Sequence, residues 1–125
     1  MNINIEGLDK LQYQLTQIQK SAMRELETTG KKVGLDLKGK SQELTPVLSG
    51  DLQGSAYVNV DVYGSAVDVE VGFEEIYAHY QHEGVHFAHP HGGQAKYLEV
   101  PYKANKEKYV GMIKSAVKRA ISEVT

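Results

Sequence analysis

The sequence contains no cysteine, only three prolines and almost no net charge, which is −2 over 125 residues. Without cysteine the chain can form no disulfide, no thiolate zinc site and no cysteine nucleophile, so His, Asp and Glu would have to hold any metal. The small net charge excludes the global basic field that draws general DNA-binding proteins onto nucleic acid or anionic membranes. The lack of cysteine and the lack of a basic field therefore narrow the functions that this chain can have.

Long apolar runs are also missing. No stretch of 18 apolar residues occurs, and the opening "MNINIEGLDKL" has no basic region followed by an apolar stretch. These absences predict a protein that is made and kept in a cytoplasm and has no membrane partner. The 41% hydrophobic and 24% charged residues are those of an ordinary globular protein. We expect residues 1–125 to form a single domain with one core.

Residues 8–44 carry apolar side chains at intervals of mostly three or four, which is the spacing of one helix face. Pro46 ends the pattern, because a proline pushes the preceding residue out of the helical conformation. A continuous helix of this length would measure about 55 Å, longer than a domain of this size is wide. We therefore interpret Gly30, Gly34 and Gly39 as sites of a bend, a break or a close crossing. A coiled-coil partner helix is the weaker alternative, since these glycines disfavour a zipper.

Two runs of alternating valines, "VNVDV" and "VDVEV", predict a β-hairpin. Gly64-Ser65 between them suits a two-residue turn with glycine first. The implied register places valines opposite valines on one face and Asp61 opposite Asp68 on the other. Opposed like charges are mildly unfavourable, so either the register differs or the acidic face is open to water or to a partner that favours negative charge.

A second helix is predicted near the end of the sequence. Pro101 suits a first helical position, and an apolar stripe at helical spacing follows it. The stripe consists of Tyr109, Ile113, Ala116, Val117, Ala120, Ile121 and Val124. The element order predicts an α+β fold, with a long N-terminal amphipathic helix and a C-terminal helix packed on a small antiparallel sheet built around the β-hairpin.

The segment "YAHYQHEGVHFAHPHGG", residues 77–93, contains all five histidines. Within it, "HEGVH" matches the H-E-x-x-H pattern of zinc peptidases. On a helix, His82 and His86 would share a face and bind one zinc ion while Glu83 activates its water, and His79 would lie on the same arc. His79, His82 and His86 are therefore the metal-ligand candidates of an alternative function, a small metal-binding hydrolase.

Three features weigh against that enzyme. Gly84 destabilises the helix that would hold the ligands, and the longer metzincin pattern fails because His89 and Gly92 stand where it needs glycine and histidine. The chain is also small for a peptidase with a substrate cleft. We expect no catalytic residue and no cofactor, and we interpret the histidines as polar loop or interface groups, available to titrate at about pH 6.5. The hydrolase would instead retain stoichiometric zinc and lose activity on His82→Ala.

Three local patterns follow one another along the chain. The first is "INIEGLDKLQYQLTQI" at the start of the long helix. The second is P-x-x-x-G-x-L-x-x-S, formed by Pro46, Gly50, Leu52 and Ser55. The third is a Y-A-x-Y-x-H-E-G box in residues 77–84, followed by "GQAKYL" before the last helix. In these patterns and their order the chain resembles a family of small neck proteins of long-tailed double-stranded DNA bacteriophages and prophages, known as minor capsid, tail completion or head-to-tail joining proteins.

The resemblance implies a structural virion protein without an active site, forming part of a ring between the portal side of the capsid and the tail tube. It implies assembly in the host bacterial cytoplasm, with other phage neck, connector or tail proteins and further copies of the chain as partners, and with DNA as non-specific cargo. Tyr77, Tyr80, His82 and Glu83 of the box become candidates for assembly contacts, in a turn whose tyrosines pack and whose glutamate orders neighbouring backbone.

The hairpin adds one hypothesis to the resemblance. In a closed ring, the negative charge of Asp61, Asp68 and Glu70 would line the channel and repel DNA, so that it slides without sticking. A standalone bacterial binding module is a further alternative, and it predicts a stable monomer where the neck protein predicts rings in the presence of its partners.

Overall fold

The computed structural model describes residues 1–46, 50–75, 83 and 96–125. Its elements are α1 (Leu8–Leu44), α2 (Asp51–Gly54), β1 (Ala56–Tyr63), β2 (Ala66–Phe73) and α3 (Glu99–Val124). The strands pair antiparallel, and the long helices pack with them in the α+β arrangement that the sequence predicts. Within these described ranges, no helix has the combination of length and apolarity that a membrane crossing needs.

Helix α1 occupies the middle of the fold, because it contacts α3 and both strands. The two long helices run antiparallel: Ser21 in the first half of α1 donates a hydrogen bond to Glu123 at the end of α3, and Tyr109 donates one to Asp36 in the second half of α1. Residues before Ser21 therefore extend past the last turn of α3. Leu8, Leu11 and Leu15 are exposed as a result.

Of the alternatives for the glycines of α1, a break does not occur, since the helix is continuous over 37 residues. The predicted close crossing is confirmed at two of the three positions. A Cβ atom on Gly30 would lie 2.8 Å from Val69 Cγ2, and one on Gly34 would lie 2.5 Å from Val58 Cγ1. A Cβ on Gly39 would meet nothing within 4 Å. The hairpin valines thus pack directly against the backbone of α1. This packing offsets the low helix propensity of glycine.

The hairpin has the predicted register, with Val58 opposite Val71 and Asp61 opposite Asp68. Gly64 has a φ of 57°, a left-handed conformation that suits the first position of the two-residue turn. Because alternate side chains point to opposite faces, Val58 and Val69 face the glycines of α1 while the aspartates face away. The acidic side chains are therefore on the outer face.

A small core closes the end of the hairpin nearest α2. Leu52 and Tyr97 are buried there, and Leu44, Phe73 and Leu98 pack against them. The rings of Phe73 and Tyr97 meet edge to face, with centroids 5.0 Å apart. Helix α2 is a single turn that begins directly after Gly50, whose φ is 84°. This core joins residues far apart in sequence.

Helix α3 differs from its prediction in two respects. It begins at Glu99 rather than at Pro101, which the first turn tolerates because its N–H groups have no intrahelical partner. Only Tyr109, Ala116 and Ala120 of the apolar stripe are buried. Ile113, Val117 and Ile121 remain exposed, because α1, the described element that packs most extensively on α3, covers the face with the buried residues instead.

Candidate functional site

The predicted metal ligands His79, His82 and His86 lie outside the described residues, as do Tyr77 and Tyr80 of the predicted assembly box. Both interpretations of that segment stay predictions. In the part of the chain that the structure describes, no group of three or more His, Asp or Glu side chains is placed to hold a metal ion.

Glu83 is the one described residue of the box, and it is exposed. Lys96 Nζ donates a hydrogen bond to its carboxylate and also lies 3.5 Å from Glu99 Oε2. The bond to Glu83 is the main cause that raises the pKa of Lys96. Lys96 itself has a left-handed φ of 58° in the turn that leads into α3. Glu83 is thereby tied to the entry of that helix, and its role in assembly stays a prediction.

The outer face of the hairpin carries Asp61, Asp68 and Glu70, which are all exposed. Two tyrosines of β1 share this face and bind the carboxylates: Tyr57 Oη donates to Glu70 Oε1 at 2.7 Å, and Tyr63 Oη donates to Asp68. These bonds are the main cause that raises the pKa of both tyrosines. Period-2 alternation contained the information needed to place the tyrosines on this face, although the sequence reasoning did not use it.

A polar cluster joins α1 to α3, and the sequence reasoning missed it. Asp36 Oδ2 accepts hydrogen bonds from Lys40 Nζ at 2.8 Å and from Tyr109 Oη at 2.7 Å. Lys40 Nζ also donates to Asn105 Oδ1 at 2.9 Å, and Lys108 Nζ lies 3.6 Å from Asp36. The Asp36 and Lys40 spacing of four residues was visible in the sequence, but the partners on α3 depend on how the helices cross.

Asp36 gives the α1–α3 contact a predictable pH dependence. Hydrogen bonds from Lys40 and Tyr109 lower the pKa of Asp36 below its ordinary value of 3.8. A lowered folded-state pKa contributes stability that is complete above about pH 4 and is lost as the pH falls through the folded value. Asp36→Asn is therefore expected to lower the free energy of unfolding near pH 7 by about 1–3 kcal/mol, and the deficit should shrink toward about pH 2. Urea unfolding of both chains at each pH measures it, and a pH-independent deficit would contradict this account.

An open apolar groove of about 480 Å³ lies between β2 and α3, above α1. Val33 and Leu37 of α1 form its floor. Its walls carry Val69 and Val71 on the β2 side and Tyr102, Val110 and Ile113 on the α3 side. Val69, Tyr102, Val110 and Ile113 are exposed. Glu99 and Lys106 are the charged residues of the described lining, which is otherwise mostly apolar, so the groove is suited chiefly to apolar binding.

The groove continues into a wider apolar surface on α3. Val110, Ile113, Val117 and Ile121 follow one another three or four residues apart and are 37–43% exposed. At this spacing they form one stripe along the helix. Soluble monomers rarely expose a contiguous apolar surface of this kind, so the stripe and the groove together are the candidate functional site.

The chain was compared with protein-family models, with curated proteins and with solved structures, and none of them matches it.

Proposed function

We propose that this chain is a structural protein of the neck of a long-tailed double-stranded DNA bacteriophage or prophage. In this proposal it joins the capsid and portal to the tail as part of a homo-oligomeric ring around the DNA channel, as head-tail connection, tail completion or minor capsid protein. It is assembled in the host cytoplasm, resides in the virion, and has neither catalytic activity nor a cofactor.

One observation carries the proposal: among the residues that the structure describes, both long helices expose apolar side chains. The stripe on α3 is exposed, and so are Leu8, Leu11 and Leu15 on the part of α1 that extends past α3. The described core is small, with Leu52 and Tyr97 at its centre. A chain that buries little of its apolar surface by itself gains stability when other subunits cover the rest. The resemblance of its sequence patterns to the neck proteins identifies which assembly this would be.

The acidic outer face of the hairpin supports the location around DNA. Asp61, Asp68 and Glu70 project away from α1 and are free to face a channel. Repeated around a ring, they would repel the phosphate backbone and prevent a tight protein–DNA contact. A ring structure in which these side chains point outward would remove this part of the proposal.

Charge reversal tests the channel face. The variant Asp61→Lys, Asp68→Lys, Glu70→Lys is expected to fold, and its rings should retain linear double-stranded DNA at low salt about tenfold more than unaltered rings, because Lys attracts phosphates. The matched control Asp9→Lys, Glu43→Lys, Glu107→Lys changes the net charge equally at exposed positions outside the hairpin. Filter binding at increasing salt measures retention. Equal retention by the two variants would show that the hairpin face does not line the channel.

Disruption of the gene in the phage or prophage that carries it tests the function itself. Electron microscopy of the lysate should show filled capsids and tails that are not joined, and expression of the intact chain from a plasmid should restore joined particles. Joined, infectious particles in the absence of the chain would refute the proposal. Stoichiometric zinc in the purified chain, with activity lost on His82→Ala, would favour the metal-binding hydrolase instead.

A further inference from the structure

Residues 1–6 precede α1 and have a regular pattern, although they belong to no described helix or strand. In "MNINIE", apolar Met1, Ile3 and Ile5 alternate with polar Asn2, Asn4 and Glu6. The side chains of Ile3 and Ile5 are 85% and 75% exposed, and Met1 is exposed as well. This period-2 alternation is typical of a strand with one buried face, although no described strand includes these residues.

The groove has the complementary form. It is lined by Val69 and Val71 of β2 but by no residue of β1, so the edge of β2 that does not pair with β1 lies on the groove side. Within the described ranges the sheet has two strands, and β2 has no other strand partner. An edge strand presents unpaired N–H and C=O groups to an incoming strand, and a two-stranded sheet gains stability from a third.

Residues 1–6 cannot reach the groove of their own chain. The 25 residues of α1 that separate Leu8 from Val33, on the groove floor, span about 38 Å of continuous helix. The seven residues before Leu8 extend at most about 25 Å, and Ile5 lies only three residues from the helix. Any strand that they add to a β2 edge must therefore belong to a second copy.

We propose that residues 1–6 of one copy bind to a second copy as a third strand beside β2, with Met1, Ile3 and Ile5 in the groove between β2 and α3. Strand addition supplies backbone hydrogen bonds, and alternate apolar side chains fill the groove. Asn2, Asn4 and Glu6 then face away from its floor, toward solvent. The contact is heterologous, because donor and acceptor surfaces differ, and repetition of such a contact closes a ring when the rotation permits.

This inference rests on the proposed function for its second copy, and a matched pair of donor variants tests it. Ile3→Asp/Ile5→Asp and Asn2→Asp/Asn4→Asp each add two carboxylates to the same exposed segment, so neither should change the fold of the subunit. We expect the isoleucine variant to lose self-association by at least about 100-fold and the asparagine variant to associate like the unaltered chain. Sedimentation velocity measures the self-association of both variants. An equal loss of self-association in the two would overturn the proposal, because it requires the isoleucines and the asparagines to face opposite sides.

A peptide experiment keeps the proposal testable if the unaltered chain is a monomer in isolation. The full-length Ile3→Asp/Ile5→Asp chain, whose own segment cannot compete, is titrated with a peptide of residues 1–7, and methyl resonances are followed by NMR. Shifts are expected at Val69, Val71 and Ile113, and a peptide with aspartate at positions 3 and 5 should produce none. The absence of shifts at these methyl groups at millimolar peptide would overturn the strand addition.

Mixing two defective chains tests the heterologous geometry. Ile113→Asp places a charge on the acceptor wall at a 42% exposed position, where the fold tolerates it. This chain retains an intact donor, and Ile3→Asp/Ile5→Asp retains an intact acceptor. For an unaltered chain that self-associates, the mixture should form dimers containing one copy of each, while each variant alone stays monomeric. A mixture that remains monomeric would overturn the proposal.

The interface and the neck function can fail separately. Unjoined capsids and tails after gene disruption, together with no peptide binding at the groove, would retain the function and reject the strand exchange. Peptide binding at the groove together with normal particles after disruption would retain the interface and reject the neck role.

Discussion

Gly34→Leu is expected to destabilise the chain by about 3 kcal/mol or more, because the crossing of the hairpin over α1 has no room for a side chain. A Cβ atom at this position would lie 2.5 Å from Val58 Cγ1 and 3.1 Å from Val69 Cγ1. Both contacts involve β-branched valines, whose stiff side chains yield little. The hairpin must therefore move away from α1, and its valines then lose their packing against the helix.

Gly39→Leu is the matched control for this prediction, since it makes the same change in the same helix. A Cβ at Gly39 would meet nothing within 4 Å, so the substitution should raise the free energy of unfolding by up to about 1 kcal/mol through helix propensity. Urea denaturation followed by circular dichroism measures both variants. Equal effects at the two positions would contradict the close crossing as the reason for Gly34.

Tyr109→Ala is expected to lower the free energy of unfolding by about 3–5 kcal/mol. The ring is 4% exposed between the two long helices, so its removal leaves a cavity at their contact. The substitution also leaves Asp36 without one of its hydrogen-bond donors. Burial first, and then the bond to Asp36, raise the pKa of Tyr109, which keeps its hydroxyl protonated as a donor.

Two variants separate the parts of this effect. Tyr109→Phe retains the ring and removes only the hydroxyl, and should cost about 1–2 kcal/mol. Tyr102→Ala truncates a tyrosine of the same helix that is 46% exposed, and should cost less than about 1 kcal/mol. Thermal unfolding of the three variants ranks their losses of stability. A loss on Tyr102→Ala as large as on Tyr109→Ala would mean that burial between the helices is not what stabilises α3.

Much of the fold follows from local patterns. The spacing of apolar residues and Pro46 predicted a helix over residues 8–44, which is how α1 runs. Alternating valines and Gly64-Ser65 predicted the hairpin together with its register, including Asp61 opposite Asp68. These features depend on residues within one or two turns of each other, where backbone preference and side-chain period leave few alternatives.

Local patterns predicted less of the candidate site than of the fold. The apolar stripe of α3 was visible in the sequence, but all its members look alike there, and the structure separates buried Tyr109 from exposed Ile113. Likewise, three glycines in α1 were equivalent candidates for a close crossing, and only Gly30 and Gly34 contact the hairpin closely. Which member of a repeated pattern is covered depends on the elements that pack over it.

The sequence by itself therefore determined the helices, the hairpin and its register, because each arises from the period of nearby side chains. Only the tertiary structure decided that α1 packs against both the hairpin and α3, and that a groove remains open between β2 and α3. It also decided that Asp36 accepts a hydrogen bond from the hydroxyl of Tyr109, 73 residues away. These features depend on the crossing of elements that are distant along the chain, and no local period encodes such a crossing.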